Sequence, residues 1–145
     1  MDQNNVKNHF ATLRRNLMRP FTRERRHTIS FKNAWNGIVF AFKTQPNFRF
    51  HTGMGIFVVA AGLYFHIRNI EWIIIAFTIM TVLVAETINT AIEQTIDLLT
   101  DKYHLNAKNA KDVAAGMVLI SAVFAVIVGL VIFVPYIQTL LGSRY

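Results

Sequence analysis

The chain has 145 residues, 53% of them hydrophobic, and a mean hydropathy of +0.35; its apolar residues gather into long segments instead of scattering as in a soluble core. The formal charge of +7 is as uneven, with ten of fifteen lysines and arginines in the first 49 residues, a head suited to anionic lipid headgroups or nucleic acid. The absence of cysteine excludes disulfides and thiolate metal sites.

Residues 1–28 read as a polar, basic N-terminal extension ending in Arg23-Glu-Arg-Arg26, without the apolar stretch of a cleaved signal peptide. Phe10, Leu13, Leu17 and Phe21 recur at helical spacing, but Pro20 limits any helix, and a solvated tail is the preferred reading. The rest, 29–145, reads as one membrane domain. Phe31, Ala34, Trp35, Ile38 and Phe42 lie at helical spacing opposite Lys32, Asn33, Asn36 and Lys43, which predicts a surface helix over about 30–44. Its basic far face fits a helix lying on the cytoplasmic interface; a packing face against the following helices would use the same stripe. Gln45-Pro46 ends it, because proline disfavours helical geometry in the residue before it.

The first span is expected at about 48–67, with Gly53, Gly55 and Gly62 as points of close helix approach. Arg68-Asn-Ile-Glu71 reads as a polar turn. Trp72 opens a second span, which at roughly 20 residues covers about 72–91. Residues 98–111 read as a polar loop, and the third span as about 113–136, opening on the small patch Ala114-Ala-Gly116. The fold class is therefore an all-α integral membrane protein: an interfacial amphipathic helix plus three transmembrane helices. The basic head and Lys102, Lys108 and Lys111 belong to the cytoplasmic side, leaving Arg68 and Arg144 outside. This puts the N-terminus in the cytoplasm and the C-terminus outside.

Within and just beyond the second span runs Glu86-Thr-Ile-Asn-Thr-Ala-Ile-Glu-Gln-Thr-Ile-Asp97. At about 100° per residue, Glu86, Thr90, Glu93 and Asp97 fall within roughly 40° of one line, with Asn89 on its flank. A carboxylate at membrane depth costs on the order of 3 kcal/mol, so a stripe of them points to a task; an interhelical polar lock is the plainer alternative. No phosphate loop of the G-x-x-x-x-G-K-[ST] kind occurs, no protein-kinase motif set, and no histidine pair at zinc-ligand spacing. What remains is a cluster of carboxylates and an amide, with Lys111-Asp112 at the expected start of the third helix. Such oxygen ligands suit magnesium shared with nucleotide phosphates. Lys111 can face phosphate charge, and a membrane-edge carboxylate can accept a proton from a lipid hydroxyl. Phosphoryl transfer is mostly positioning and charge neutralisation, so a set this small is sufficient.

The segment Glu86-Thr-Ile-Asn-Thr-Ala-Ile-Glu93, with Asp97 four residues on, resembles the signature of the small prokaryotic diacylglycerol kinase family, approximately E-x-[LIVM]-N-[ST]-[SA]-[LIV]-E-x-x-[VI]-D. Tyr103-His104 and Ala110-Lys111-Asp112 match as well, as do Trp35, Gly37 and Phe48-Arg49, in one gapless register. The resemblance covers about residues 26–136, and Asn47-Phe-Arg-Phe-His51 resembles the Gram-positive branch, whose members are similar to undecaprenol kinases.

The resemblance implies a homotrimer in the bacterial cell membrane, with active sites shared between neighbours and the γ-phosphate of ATP passed to a membrane lipid alcohol. By position, Glu86 would be the general base and Glu93 a ligand of Mg2+. Asn89, Lys111 and Asp112 would line the nucleotide and metal site, with Tyr103, His104 and Arg26 on the nucleotide side. The family's second metal-binding glutamate aligns with Gln45, whose amide oxygen can ligate magnesium but adds no charge. Undecaprenol is the preferred acceptor and diacylglycerol the alternative. Two other classes stay open beside the kinase: a non-catalytic membrane scaffold held by the acidic stripe, and a membrane-tethered nucleic-acid binder. The basic head lacks a recognised nucleic-acid fold or stacking pattern, so anionic lipid headgroups are the expected partner and nucleic acid is not.

Overall fold

A computed structural model describes residues 30–142, and helices account for almost all of them. We label them α1 (Phe31–Thr44), α2 (Pro46–Phe65), α3 (Asn69–Leu99) and α4 (Leu105–Leu140). Helices α2, α3 and α4 are each long and apolar enough to cross a membrane. Phe57, Phe77 and Phe124 stand more than half exposed on them, a surface that suits lipid and not water. The protein is an all-helical membrane protein.

Helix α1 ends where the sequence expects. Gln45 adopts extended geometry (φ −103°, ψ 112°) and Pro46 occupies the first turn of α2, where its missing N–H costs nothing. Arg49 reaches back from α2, its Nη1 donating to the carbonyls of Phe42 at 3.3 Å and Lys43 at 3.1 Å. Those are end-of-helix acceptors with no partner inside α1, so the arginine caps one helix from the next. Ala41 is buried, and Phe42 meets Phe48 edge to face at 6.4 Å. The stripe residues Trp35, Ile38 and Phe42 remain exposed. Of the two uses expected for that stripe, lying on an interface agrees with this exposure.

Helix α3 is central, packing on both α4 and α2. Ile67, Ile75 and Ile132 form a buried knot, with Trp72, Val128, Phe133 and Tyr136 packed around it. Two of the three expected contact glycines serve the α2–α3 seam. A Cβ on Gly55 would come within 3.2 Å of Ile79 Cγ2, and one on Gly62 within 2.8 Å of Trp72 Cη2. Gly53 and Gly116 have open space around them among the described residues, so close approach there is not a contact of this chain with itself.

Helices α3 and α4 overrun the expected spans, whereas α2 keeps the expected length and lies two residues earlier. The turn expected at Arg68–Glu71 is shorter, because α3 begins at Asn69, three residues before Trp72. Glu71 makes this start possible. Its Oε2 accepts the backbone N–H of Arg68 at 2.8 Å and the hydroxyl of Tyr136 at 2.6 Å; its Oε1 accepts Arg68 Nη2 at 2.7 Å. A residue read as turn filler thus ties the head of α3 to the tail of α4. At the other end, α3 continues to Leu99, past the span end expected near Ala91. The loop expected at 98–111 shrinks to residues 100–104, closed by His104, whose Nδ1 accepts the N–H of Asn106 at 3.3 Å. Hydropathy marks membrane limits, whereas helix propagation needs only residues that tolerate it, and Leu105–Asp112 supplies them.

Candidate active site

The acidic stripe holds its alignment, and burial grades along it. Glu86 is 1% exposed; Asn89 and Thr90 are buried, Glu93 half-buried and Asp97 exposed. Glu86 is the only fully enclosed large side chain among the described residues. Thr90 is not free for chemistry, since its hydroxyl donates to the Glu86 carbonyl at 2.8 Å. Asn89 Nδ2 donates to Glu93 Oε1 at 3.1 Å, which aims its own Oδ1 elsewhere. Among the described residues, two buried side-chain oxygens accept no hydrogen bond, Glu86 Oε1 and Asn89 Oδ1. Buried acceptors left open in this way are uncommon and suit groups that bind something absent from the chain itself.

One group does face Glu86. His51, on the second turn of α2, places Nε2 3.6 Å from Glu86 Oε1. That is too long for a hydrogen bond. In the sequence His51 stands only as part of Asn47-Phe-Arg-Phe-His51, with no role of its own. His51 lies in the second turn of one apolar helix and Glu86 past the middle of the next, so antiparallel packing brings them level.

Beyond the stripe, where α3 gives way to α4, an open cleft of about 360 Å³ is lined by Asp97, Tyr103, His104, Lys108, Lys111 and Asp112 among others. Four of the expected nucleotide-side residues therefore meet in one place. Their charges are paired within the chain. Lys111 Nζ donates to Asp97 Oδ1 at 2.5 Å, and Lys108 Nζ to Asp112 Oδ2 at 2.5 Å. Lys111-Asp112 also does not open the helix, which starts at Leu105, so Asp112 lies beyond the first turn, which is where a helix dipole acts on charge. Lys108 was missed because its partner lies one helical turn away, a spacing visible only once the helix is known to begin early.

The cleft and the buried carboxylate are distinct along α3, with Asn89 and Glu93 between them. Gln45 is half-buried at the head of α2 and makes no hydrogen bond to Glu93. No group of three or more His, Asp or Glu residues that could hold a metal occurs among the described residues. Arg26 lies outside the described residues, as does the extension to which it belongs.

A family profile described as "Prokaryotic diacylglycerol kinase" matches residues 32–133, most of the chain. The chain belongs to the prokaryotic diacylglycerol kinase family. It is 45% identical to an undecaprenol kinase of Bacillus subtilis over 106 residues, covering 73% of this chain and 86% of that one. It is similar, at 43% identity over 114 residues, to a diacylglycerol kinase of Synechocystis sp., covering 78% of this chain but only 65% of the relative. A diacylglycerol kinase of Escherichia coli is 28% identical over 94 residues, 65% of this chain and 77% of that one. The family and these relatives are lipid kinases, a class that uses ATP to phosphorylate a lipid.

Proposed function

We propose that this protein transfers the γ-phosphate of ATP to the hydroxyl of a membrane lipid at the cytoplasmic face, with undecaprenol as acceptor and undecaprenyl phosphate as product. The observation that carries the reading is Glu86: a carboxylate enclosed within a spanning helix, with Oε1 accepting no hydrogen bond. Glu86 accepts the hydroxyl proton as the lipid oxygen attacks phosphorus. Lys111, released from Asp97, turns to the phosphates, and Tyr103, His104, Asp112 and Arg26 flank the nucleotide. The choice of undecaprenol rests on the likeness to the Bacillus enzyme and on Asn47–His51; diacylglycerol is the second reading, favoured by the Synechocystis relative.

Magnesium fits the oxygen-only donor set. Asn89 Oδ1 is an orphaned buried acceptor beside the Glu93 carboxylate, and an ion that arrives with nucleotide phosphates needs few protein ligands. Glu93 and Asn89 would hold it, with Gln45 as a neutral third; when bound it neutralises phosphate charge. We further propose a homotrimer, with the exposed apolar faces divided between lipid and neighbouring protomers, and a cytoplasmic placement of Lys102, Lys108 and Lys111 opposite Arg68. The 29–145 segment is the kinase domain, and residues 1–28 are a basic extension toward anionic headgroups.

The deciding experiment offers purified protein ATP with undecaprenol and diacylglycerol side by side. Faster formation of undecaprenyl phosphate is expected. A preference for diacylglycerol overturns the acceptor, and turnover of neither overturns the kinase reading. Lys111→Ala is expected to lower kcat/KM for ATP about tenfold, the scale of one hydrogen bond to a charged group. Kinetics at varied ATP check this, and unchanged values remove Lys111 from the site. Gln45→Glu is expected to reduce the magnesium needed for half-maximal rate severalfold, because it adds a charged oxygen. Magnesium titration of both proteins checks it, and an equal or greater requirement removes Gln45 from the metal.

A further inference from the structure

We propose that His51 is a second catalytic residue, one that holds the acceptor hydroxyl together with Glu86; this rests on the kinase reading above. His51 Nε2 and Glu86 Oε1 stand 3.6 Å apart, each on its own helix, and Oε1 has no donor. The gap is too long for a direct hydrogen bond and too short for a bridging chain of waters. A hydroxyl seated beside the two atoms, about 2.8 Å from each, can reach both. Glu86 is sealed from solvent, while the His51 side chain is 18% exposed, so the opening lies on the histidine side. A ring that carries its proton on Nε2 donates to the lipid oxygen, and that oxygen donates its own proton to Glu86.

During reaction the lipid O–H bond breaks and its proton passes to Glu86 Oε1. The lipid oxygen forms a bond to the γ-phosphorus, and the bond from that phosphorus to its bridging oxygen breaks, with ADP taking the electron pair. Negative charge grows on the lipid oxygen before the new bond is complete. The Nε2–H donor is aimed at that charge, and donors placed in advance around developing charge act most strongly where water is excluded. Among the described residues no side chain hydrogen-bonds Glu86 Oε1, and His51 is the one basic side chain within 4 Å of it.

The test compares wild type, His51→Leu, His51→Gln, Glu86→Gln and the double variant His51→Leu/Glu86→Gln, with undecaprenol as acceptor. His51→Leu is expected to lower kcat about 10- to 100-fold while ATP affinity, measured by nucleotide binding, is unchanged. His51→Gln keeps an N–H donor and is expected to recover most of the rate. The double variant is expected to be little worse than Glu86→Gln, because both residues act on one oxygen. Thermal melting of each protein separates chemistry from folding. A wild-type kcat in His51→Leu overturns the proposal, as does loss in proportion to melting temperature with no recovery in His51→Gln, or a double variant equal to the product of the singles. Absence of lipid phosphorylation by the wild type would instead bring down the kinase reading itself.

Discussion

Glu86→Gln is expected to lower lipid-dependent ATP turnover by about 10² to 10⁴, the usual range for loss of a general base. The amide keeps the size of the carboxylate and can hydrogen-bond, but it cannot take a proton from a lipid hydroxyl. The enclosure of Glu86 makes the outcome discriminating. If the residue were only a polar lock between helices, the substitution would act on the assembly and not on proton transfer, and Oε1, which has no donor, loses no hydrogen bond in the change. Turnover and oligomer size in detergent should be measured on the same preparations. Near-wild-type turnover removes the base role. A dissociated assembly favours the scaffold reading, in which the stripe holds helices together.

Gly62→Val is expected to destabilise the fold by about 3 kcal/mol, at the upper end of overpacking costs. Its first added carbon would stand 2.8 Å from Trp72 Cη2 and 3.0 Å from Ile67 Cδ1; Ile67 belongs to the buried isoleucine knot and Trp72 packs against it. The Gly62 carbonyl also accepts the backbone N–H of Ile67 at 3.2 Å, so a shift of α2 to relieve the clash disturbs the turn into α3. Equilibrium unfolding in mild detergent measures the loss. Gly53→Val, where no atom lies within 4 Å of the added carbon, is the comparison. A smaller loss at Gly62 than at Gly53 would refute the contact.

Much of this fold was legible because membrane helices announce themselves by composition, and α1 by a period that places Phe31, Trp35, Ile38 and Phe42 on one stripe. The Gln45-Pro46 break follows from the geometry of a single ring. The stripe Glu86, Glu93, Asp97 needed only the helical period. Partners across helices were not legible. Nothing local couples His51 to Glu86 or Asp97 to Lys111, since each pair is joined by how two helices pack. The glycines make the same point: Gly53 and Gly62 look alike in sequence, and only the position of Trp72 separates them. Glu71 was misread for a related reason, because the hydroxyl it accepts comes from Tyr136, at the far end of the domain.

Helix α3 runs without interruption from Glu86 to Asp97, a rise of about 16 Å at the usual pitch. It therefore works as a ruler. With Glu86 as the base, bilayer thickness and tail length do not alter how far the acceptor oxygen stands from the nucleotide cleft; both stations are marked on one rigid rod. An acceptor is then selected by how its hydroxyl is mounted. An alcohol borne directly on the hydrocarbon end meets the lower mark at its natural depth, whereas one carried outward on a bulky headgroup must draw its tails toward the surface to register there.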